Sequence, residues 1–156
     1  MGNAALRQWA EAAPGALPTY RGDLRPAIWV VPPLVLVVED EPVILRVTCH
    51  HLEDAGFACV NADTATHALA ILAETVPDLL VLDIRLPDIP GPELALVIHR
   101  RYPTIPVLFV SGWIDGLADA GTLAMLRWEF LQKPFTGEAL VAAARRLFAK
   151  SLPATH

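Results

Sequence analysis

The chain has 156 residues, 54% of them hydrophobic and 19% charged, with a net charge of −5 at pH 7. That length supports one domain with a proper core and excludes two comfortable ones, while the acidic balance offers nucleic acid and anionic lipid no electrostatic attraction. No uncharged stretch is longer than the 13 residues of Pro26 to Val38, which contains Pro32-Pro33, short of the roughly 20 apolar residues that span a bilayer.

Residues 1–33 differ from the rest. They hold Pro14, Pro18, Pro26, Pro32 and Pro33 with Gly2, Gly15 and Gly22 between them, and only "AALRQWAEAA" could form a short helix. This segment reads as an N-terminal extension outside the core, flexible or partly ordered by Trp9 and Trp29. It lacks the basic flank and apolar core of a secretory signal. From Leu34 the pattern turns regular, and residues 34–150 read as one domain followed by a tail at 151–156. Strand-like runs occur at "LVLVV", "FACVN", "DLLVLDI", "PVLFVSG" and "EFLQK". Helical stretches are expected between and after them, over Val43–Ala55, Thr66–Thr75, Pro92–Arg101, Asp115–Arg127 and Gly137–Lys150. Gly56 stands where the first helix should stop, and Pro77 and Pro103 each follow a helical pattern and precede a strand. Cys49 and Cys59 fit no ligand or redox spacing and read as free thiols of a reducing cytoplasm. Strands alternating with helices imply parallel pairing and right-handed crossovers. The expected fold is α/β: a doubly wound five-stranded parallel sheet with helices on both faces, binding its ligand outside the carboxyl ends of the strands.

The stretch "LVLVVEDEPV" places Glu39, Asp40 and Glu41 directly after a buried strand. Adjacent carboxylates repel by roughly 4 kcal/mol per pair at about 4 Å and an effective dielectric near 20, so something must offset them or they must point apart. The other strand ends supply a reason. The third run ends on Asp83, the fourth on Ser111 followed by Gly112, and the fifth on Lys133 followed by Pro134. In a doubly wound order these ends are neighbours, so three acids, a hydroxyl and an ammonium should share a pocket. Few oxygen-only ligands with room for water suit Mg2+, and a site of that kind is built to act on phosphate. Asp83 is the candidate nucleophile, since a carboxylate is ionised at neutral pH without help from a base. Lys133 and the Ser111 hydroxyl would hold phosphoryl oxygens.

Glu39-Asp40, Asp83 with "IRLPDIPG", Ser111-Gly112 and Lys133-Pro134-Phe135 resemble the receiver domain of bacterial two-component response regulators, over about Leu34 to Lys150. The resemblance implies a flavodoxin-like strand order 2-1-3-4-5 and a cytoplasmic, phosphorelay function without enzymatic turnover. It implies that Asp83 accepts phosphate from a histidine kinase or histidine phosphotransfer protein. Asp40 and Asp83 would bind Mg2+ directly, the Arg85 carbonyl would be a third ligand, and Glu39 would act mainly through water. Lys133–Pro134 would be a cis peptide. Ser111 and Phe130 would form the switch pair, with phenylalanine where the family more often has tyrosine. Arg85 and Trp113, two residues after the acceptor and the hydroxyl residue, would shield the phosphoryl group and lengthen its lifetime.

Several features have plainer readings. Asp40 alone could cap the first helix, with Pro42 in its first turn. Pro87, Pro90 and Gly91 read as loop chemistry. His50-His51 do not share a helix face and make a poor metal pair. After the fifth helix only "SLPATH" remains, so output is expected through protein contacts, on an unknown target or a second copy of the chain. The face of the fourth helix, fifth strand and fifth helix is the expected switching and dimer surface. There Gly116 and Gly121 weaken the helix, and Leu117, Leu123, Met125 and Leu126 offer more apolar surface than one helix face buries. The alternatives are a receiver from a hybrid kinase and an aspartyl-phosphate hydrolase of the haloacid dehalogenase type.

Overall fold

The computed structural model describes residues 31–113 and 120–151. The expected helix in "AALRQWAEAA", Trp9 and Trp29 lie outside them, as do Asp115, Gly116 and Leu117 of the fourth helix and residues 152–156. The described elements run β1 (Leu34–Val38), α1 (Pro42–Asp54), β2 (Ala58–Ala62), α2 (Ala65–Leu72), β3 (Leu79–Asp83), α3 (Gly91–Arg101), β4 (Val107–Ser111), α4 (Ala120–Leu123), β5 (Trp128–Gln132) and α5 (Gly137–Ser151). All strand pairs are parallel, in the order β2-β1-β3-β4-β5. No described helix is long and apolar enough to cross a membrane.

The apolar runs explain the layering. Every residue of β1, β3 and β4 is buried, as strands covered on both faces must be. Alternate side chains enter opposite cores. Leu36, Val38, Leu80, Leu82 and Phe109 pack with Ala65 and Ala68 of α2, Leu94 and Ile98 of α3, and Leu123 and Leu126. Val35, Val37, Val81, Leu108 and Val110 pack with Cys49 and Leu52 of α1 and Leu140 and Leu147 of α5. Each fully buried leucine or phenylalanine contributes about 1.5–3 kcal/mol. At the edge, Trp128 of β5 meets Phe109 edge-on, ring centroids 5.9 Å apart.

Helix ends follow local chemistry. Pro42 occupies the first turn of α1, where a missing N–H costs nothing. At its end Gly56 takes φ 97°. There its N–H donates to the Glu53 carbonyl at 3.0 Å and the Phe57 N–H to the Leu52 carbonyl at 3.0 Å, the paired bonds of a glycine-terminated helix. Thr64 caps α2 by accepting from the His67 N–H at 3.0 Å. Two helices are shorter than their sequence patterns. α2 ends at Leu72 rather than Thr75. α4 ends at Leu123 rather than Arg127, with Ala124 and Leu126 donating to the carbonyls three residues back, Gly121 and Leu123. That tighter turn buries Leu123 and Leu126, so these two are core residues rather than spare surface; Met125 remains 67% exposed. Cys49 and Cys59 are free thiols.

Candidate functional site

The parallel register carries the strand ends to one edge of the sheet. Pairing of Val38 with both Leu82 and Ala62, and of Ser111 with Gln132, leaves Glu39, Asp83, Ser111 and Lys133 at or just past the carboxyl ends. Backbone bonds continue the ladder there: the Glu39 N–H donates to the Ala62 carbonyl (3.0 Å), Ile84 N–H to Val110 (3.2 Å) and Lys133 N–H to Ser111 (2.8 Å). Glu39, Asp83 and Ser111 are buried, whereas Asp40 and Glu41 are exposed. Of the three successive acids only Glu39 is turned wholly inward, while Asp40 and Glu41 reach the surface.

Lys133 Nζ bridges the two buried carboxylates, 2.6 Å from Glu39 Oε2 and 2.9 Å from Asp83 Oδ2. The remaining oxygens are held by backbone: Arg85 N–H donates to Asp83 Oδ1 at 2.9 Å and Glu41 N–H to Glu39 Oε1 at 3.2 Å. Trp113 N–H donates to Ser111 Oγ at 3.2 Å. Burial pushes the Glu39 carboxyl up to about 7, against the hydrogen bond from Lys133 and with help from the Asp83 charge. Burial alone would lower Lys133, but its bonds to Glu39 and Asp83 outweigh that and hold it above its ordinary value. An ammonium so placed supplies one of the three positive charges that would balance Glu39, Asp40 and Asp83.

One oxygen from each of Glu39, Asp40 and Asp83 can lie within 4.8 Å of the others. An all-oxygen set with an exposed member, open to water, fits a hard divalent cation of the Mg2+ type. Asp40 is not the cap of α1; that place belongs to Glu41, which makes no side-chain capping bond. The Lys133–Pro134 peptide is cis. Phe130 is half-buried against the core containing Phe109. Arg85 and Trp113 are both exposed, Trp113 at 62%, so the expected aromatic roof is not packed over the pocket in this structure.

A profile of the response regulator receiver domain family matches residues 35–145. The chain belongs to this family. The receiver is 36% identical over 116 residues to the nitrogen assimilation regulatory protein NtrX of Azorhizobium caulinodans, covering 72% of this chain and 25% of that protein. It is 33% identical over 113 residues to the DNA-binding transcriptional regulator NtrC of Salmonella typhimurium, covering 72% and 24%. The chain thus spans about a quarter of the length of these curated relatives. Among solved structures, the receiver domain of NtrX from Brucella abortus superposes with a TM-score of 0.68 at 30% identity, covering 74% of this chain and 98% of that one. Chemotaxis response regulator CheY4 of Vibrio cholerae gives a TM-score of 0.67 at 25% identity, covering 74% and 98%. The function class is two-component phosphorelay signalling. The hydrolase alternative falls with the family match, and with the acids of the first strand reading Glu39-Asp40-Glu41, where that class needs two aspartates two positions apart.

Two residues matter more than their sequence context suggests. Gly91, read as loop chemistry, starts α3 where an added Cβ would overlap the Asp83 carbonyl oxygen; the glycine lets the helix sit against the backbone of the acceptor. Asp88, which carried no sequence signal beyond its place between two prolines, accepts four hydrogen bonds, three of them from the start of α2.

Proposed function

We propose that Asp83 accepts a phosphoryl group from a phosphohistidine of a histidine kinase or phosphotransfer protein. Mg2+ would be held by Asp40, Asp83 and the Arg85 carbonyl, with Glu39 acting through water. The observation that carries this reading is the placement of Asp83. Its carboxylate is buried at the end of the central strand, held by Lys133 Nζ at 2.9 Å and the Arg85 N–H at 2.9 Å, beside the exposed carboxylate of Asp40.

In the transfer, a carboxylate oxygen of Asp83 attacks phosphorus in line with the donor nitrogen. The P–O bond forms as the P–N bond breaks, and the departing imidazole takes a proton from solvent. Lys133, released in part from Asp83, pairs with one phosphoryl oxygen, and the Ser111 hydroxyl donates to another. Mg2+ held by Asp40, Asp83 and the Arg85 carbonyl would supply charge neutralisation at the phosphoryl group. The acyl phosphate hydrolyses readily, so the modification is a reversible switch. Arg85 and Trp113 set its lifetime if they turn inward on phosphorylation.

The surface beside Lys133 suits the donor protein. Val43 and Val47 on the first turns of α1 are 67% and 47% exposed. With Ile44, Pro134 and Phe135 they line a groove of about 340 Å³ that runs to Lys133. A helix seated there lies next to the acceptor. Output then passes from Ser111 and Phe130 to the α4–β5–α5 face, the switching and dimer surface of a cytoplasmic protein, on which Met125 is exposed. The reading is tested by labelling with a small acyl-phosphate donor: the wild type takes up one phosphoryl group, while Asp83→Asn or removal of Mg2+ by chelation leaves the chain unlabelled. Full labelling of Asp83→Asn would overturn the assignment.

A further inference from the structure

The loop between β3 and α3, residues 84–90, carries the Arg85 carbonyl that the proposed function makes a cation ligand. Its ends are pinned: Ile84 N–H donates to the Val110 carbonyl at 3.2 Å and Gly91 N–H to the Ile84 carbonyl at 2.9 Å. Its tip is held by Asp88. Asp88 Oδ1 accepts from the Ala65 N–H (3.0 Å) and the Ile89 N–H (3.0 Å). Its Oδ2 accepts from the Thr66 N–H (2.8 Å) and the Thr66 hydroxyl (2.6 Å). Ala65 and Thr66 open α2, whose first-turn N–H groups have no partner within the helix. The local cap, Thr64, is occupied with the His67 N–H, so Asp88 completes the cap from 22 residues away. The bonds from Thr66 hold the Asp88 carboxyl far below the usual range, so it is a charged acceptor at any working pH.

The far side of this contact is also tied to the site. α2 follows β2, and the last residue of β2, Ala62, accepts the Glu39 N–H at 3.0 Å. Asp88 thus fastens the loop after the acceptor strand to the element adjoining Glu39. We infer that Asp88 is a positioning residue for the cation: by clamping the β3–α3 loop to the start of α2, it holds the Arg85 carbonyl where Mg2+ needs it. This rests on the site reading above and adds to it a residue that touches neither cation nor phosphate. Without the clamp, the loop between its pinned ends must be ordered when the cation binds, and that loss of backbone freedom subtracts from affinity.

The experiment is a calorimetric titration of Mg2+ into the full chain at neutral pH, with thermal midpoints measured in chelator. Asp88→Ala should weaken Mg2+ binding about tenfold, the low end for loss of a residue that orients a ligand. Asp88→Asn, which keeps a carbonyl acceptor, and Thr66→Val, which removes one of the four bonds, should weaken it less. The control is Thr64→Ala, which strips the local cap of α2 and leaves Asp88 in place. It should lower the thermal midpoint and leave the Mg2+ dissociation constant unchanged. Unchanged affinity in Asp88→Ala, or in Thr66→Val if Asp88→Ala does not fold, would overturn the clamp and leave the site standing. So would equal weakening in Thr64→Ala, which would make the effect simple fraying of α2. A wild-type chain that binds no Mg2+ would overturn the cation site and the clamp together.

Discussion

Glu39 stands apart from its two acidic neighbours. It is 1% exposed, and burial raises its carboxyl from an ordinary 4.5 to about 7. A carboxyl that holds its proton more tightly folded than unfolded contributes stability that is fully present below 4.5 and lost as pH rises through about 7. In chelator, Glu39→Gln should therefore match the wild type near pH 4 and exceed it at pH 8 by up to about 3 kcal/mol, since each tenfold change in proton affinity corresponds to about 1.4 kcal/mol. Urea unfolding at the two pH values checks this, and a variant less stable than the wild type at pH 8 would contradict it. Arg85 and Trp113 bear on a different quantity, the decay of the phosphorylated state. Their exposure leaves both free to close over a phosphoryl group, Arg85 through its planar guanidinium. Arg85→Asn and Trp113→Ala should each shorten the half-life of purified phosphoprotein several-fold; equal or slower decay in both would remove the shield. Residues of this scale were legible in the sequence at strand ends: Glu39, Asp83 and Ser111 directly follow apolar runs, and Asp40 and Lys133 stand one residue further on. Asp88 was not, because its partners on α2 lie 22 and 23 residues away and a Pro-Asp-Ile-Pro loop shows only that the chain turns.

Among the elements, the strands and the ends of α1 and α3 followed the local pattern, whereas α2 and α4 stop short of theirs. β1 is the five-residue run the sequence marks, and Gly56 ends α1 as its position suggested. β2 starts one residue later than its run because Phe57 is taken up in the turn after α1 and packs beside Leu52. α4 loses its last turn because leaving the helix carries Leu126 into the core along with Leu123, a tertiary gain that no periodicity displays. The exposed apolar start of α1 makes its own prediction. Val47→Asp places a charge in the groove shared with Phe135 and leaves the Asp83 and Lys133 side chains themselves unaltered. It should slow phosphotransfer from a histidine kinase at least tenfold, as desolvating a charge in an apolar contact would, and affect labelling by a small acyl phosphate far less. Equal loss with both donors would place the effect in the site and not in docking.

For the whole molecule, doubly wound parallel topology is what converts separate sequence features into one site. The strand order puts β1, β3 and β4 side by side at the centre with β5 at the edge, and parallel pairing sends every carboxyl end the same way. Residues 39, 83, 111 and 133 thereby meet across nearly a hundred positions of chain. The result is a buried pair of carboxylates bridged by one ammonium, with Asp40 open to water: a charge arrangement short of positive charge by about one divalent cation. This arrangement should direct phosphate to Asp83 alone. The most direct measurement is mass-spectrometric mapping of the chain after labelling with a small acyl phosphate and Mg2+, with the acyl phosphate trapped by reduction before digestion. One modified position is expected, on the peptide bearing Asp83. Modification at Glu39, at Asp40 or at a histidine such as His50, with Asp83 unmodified, would contradict it.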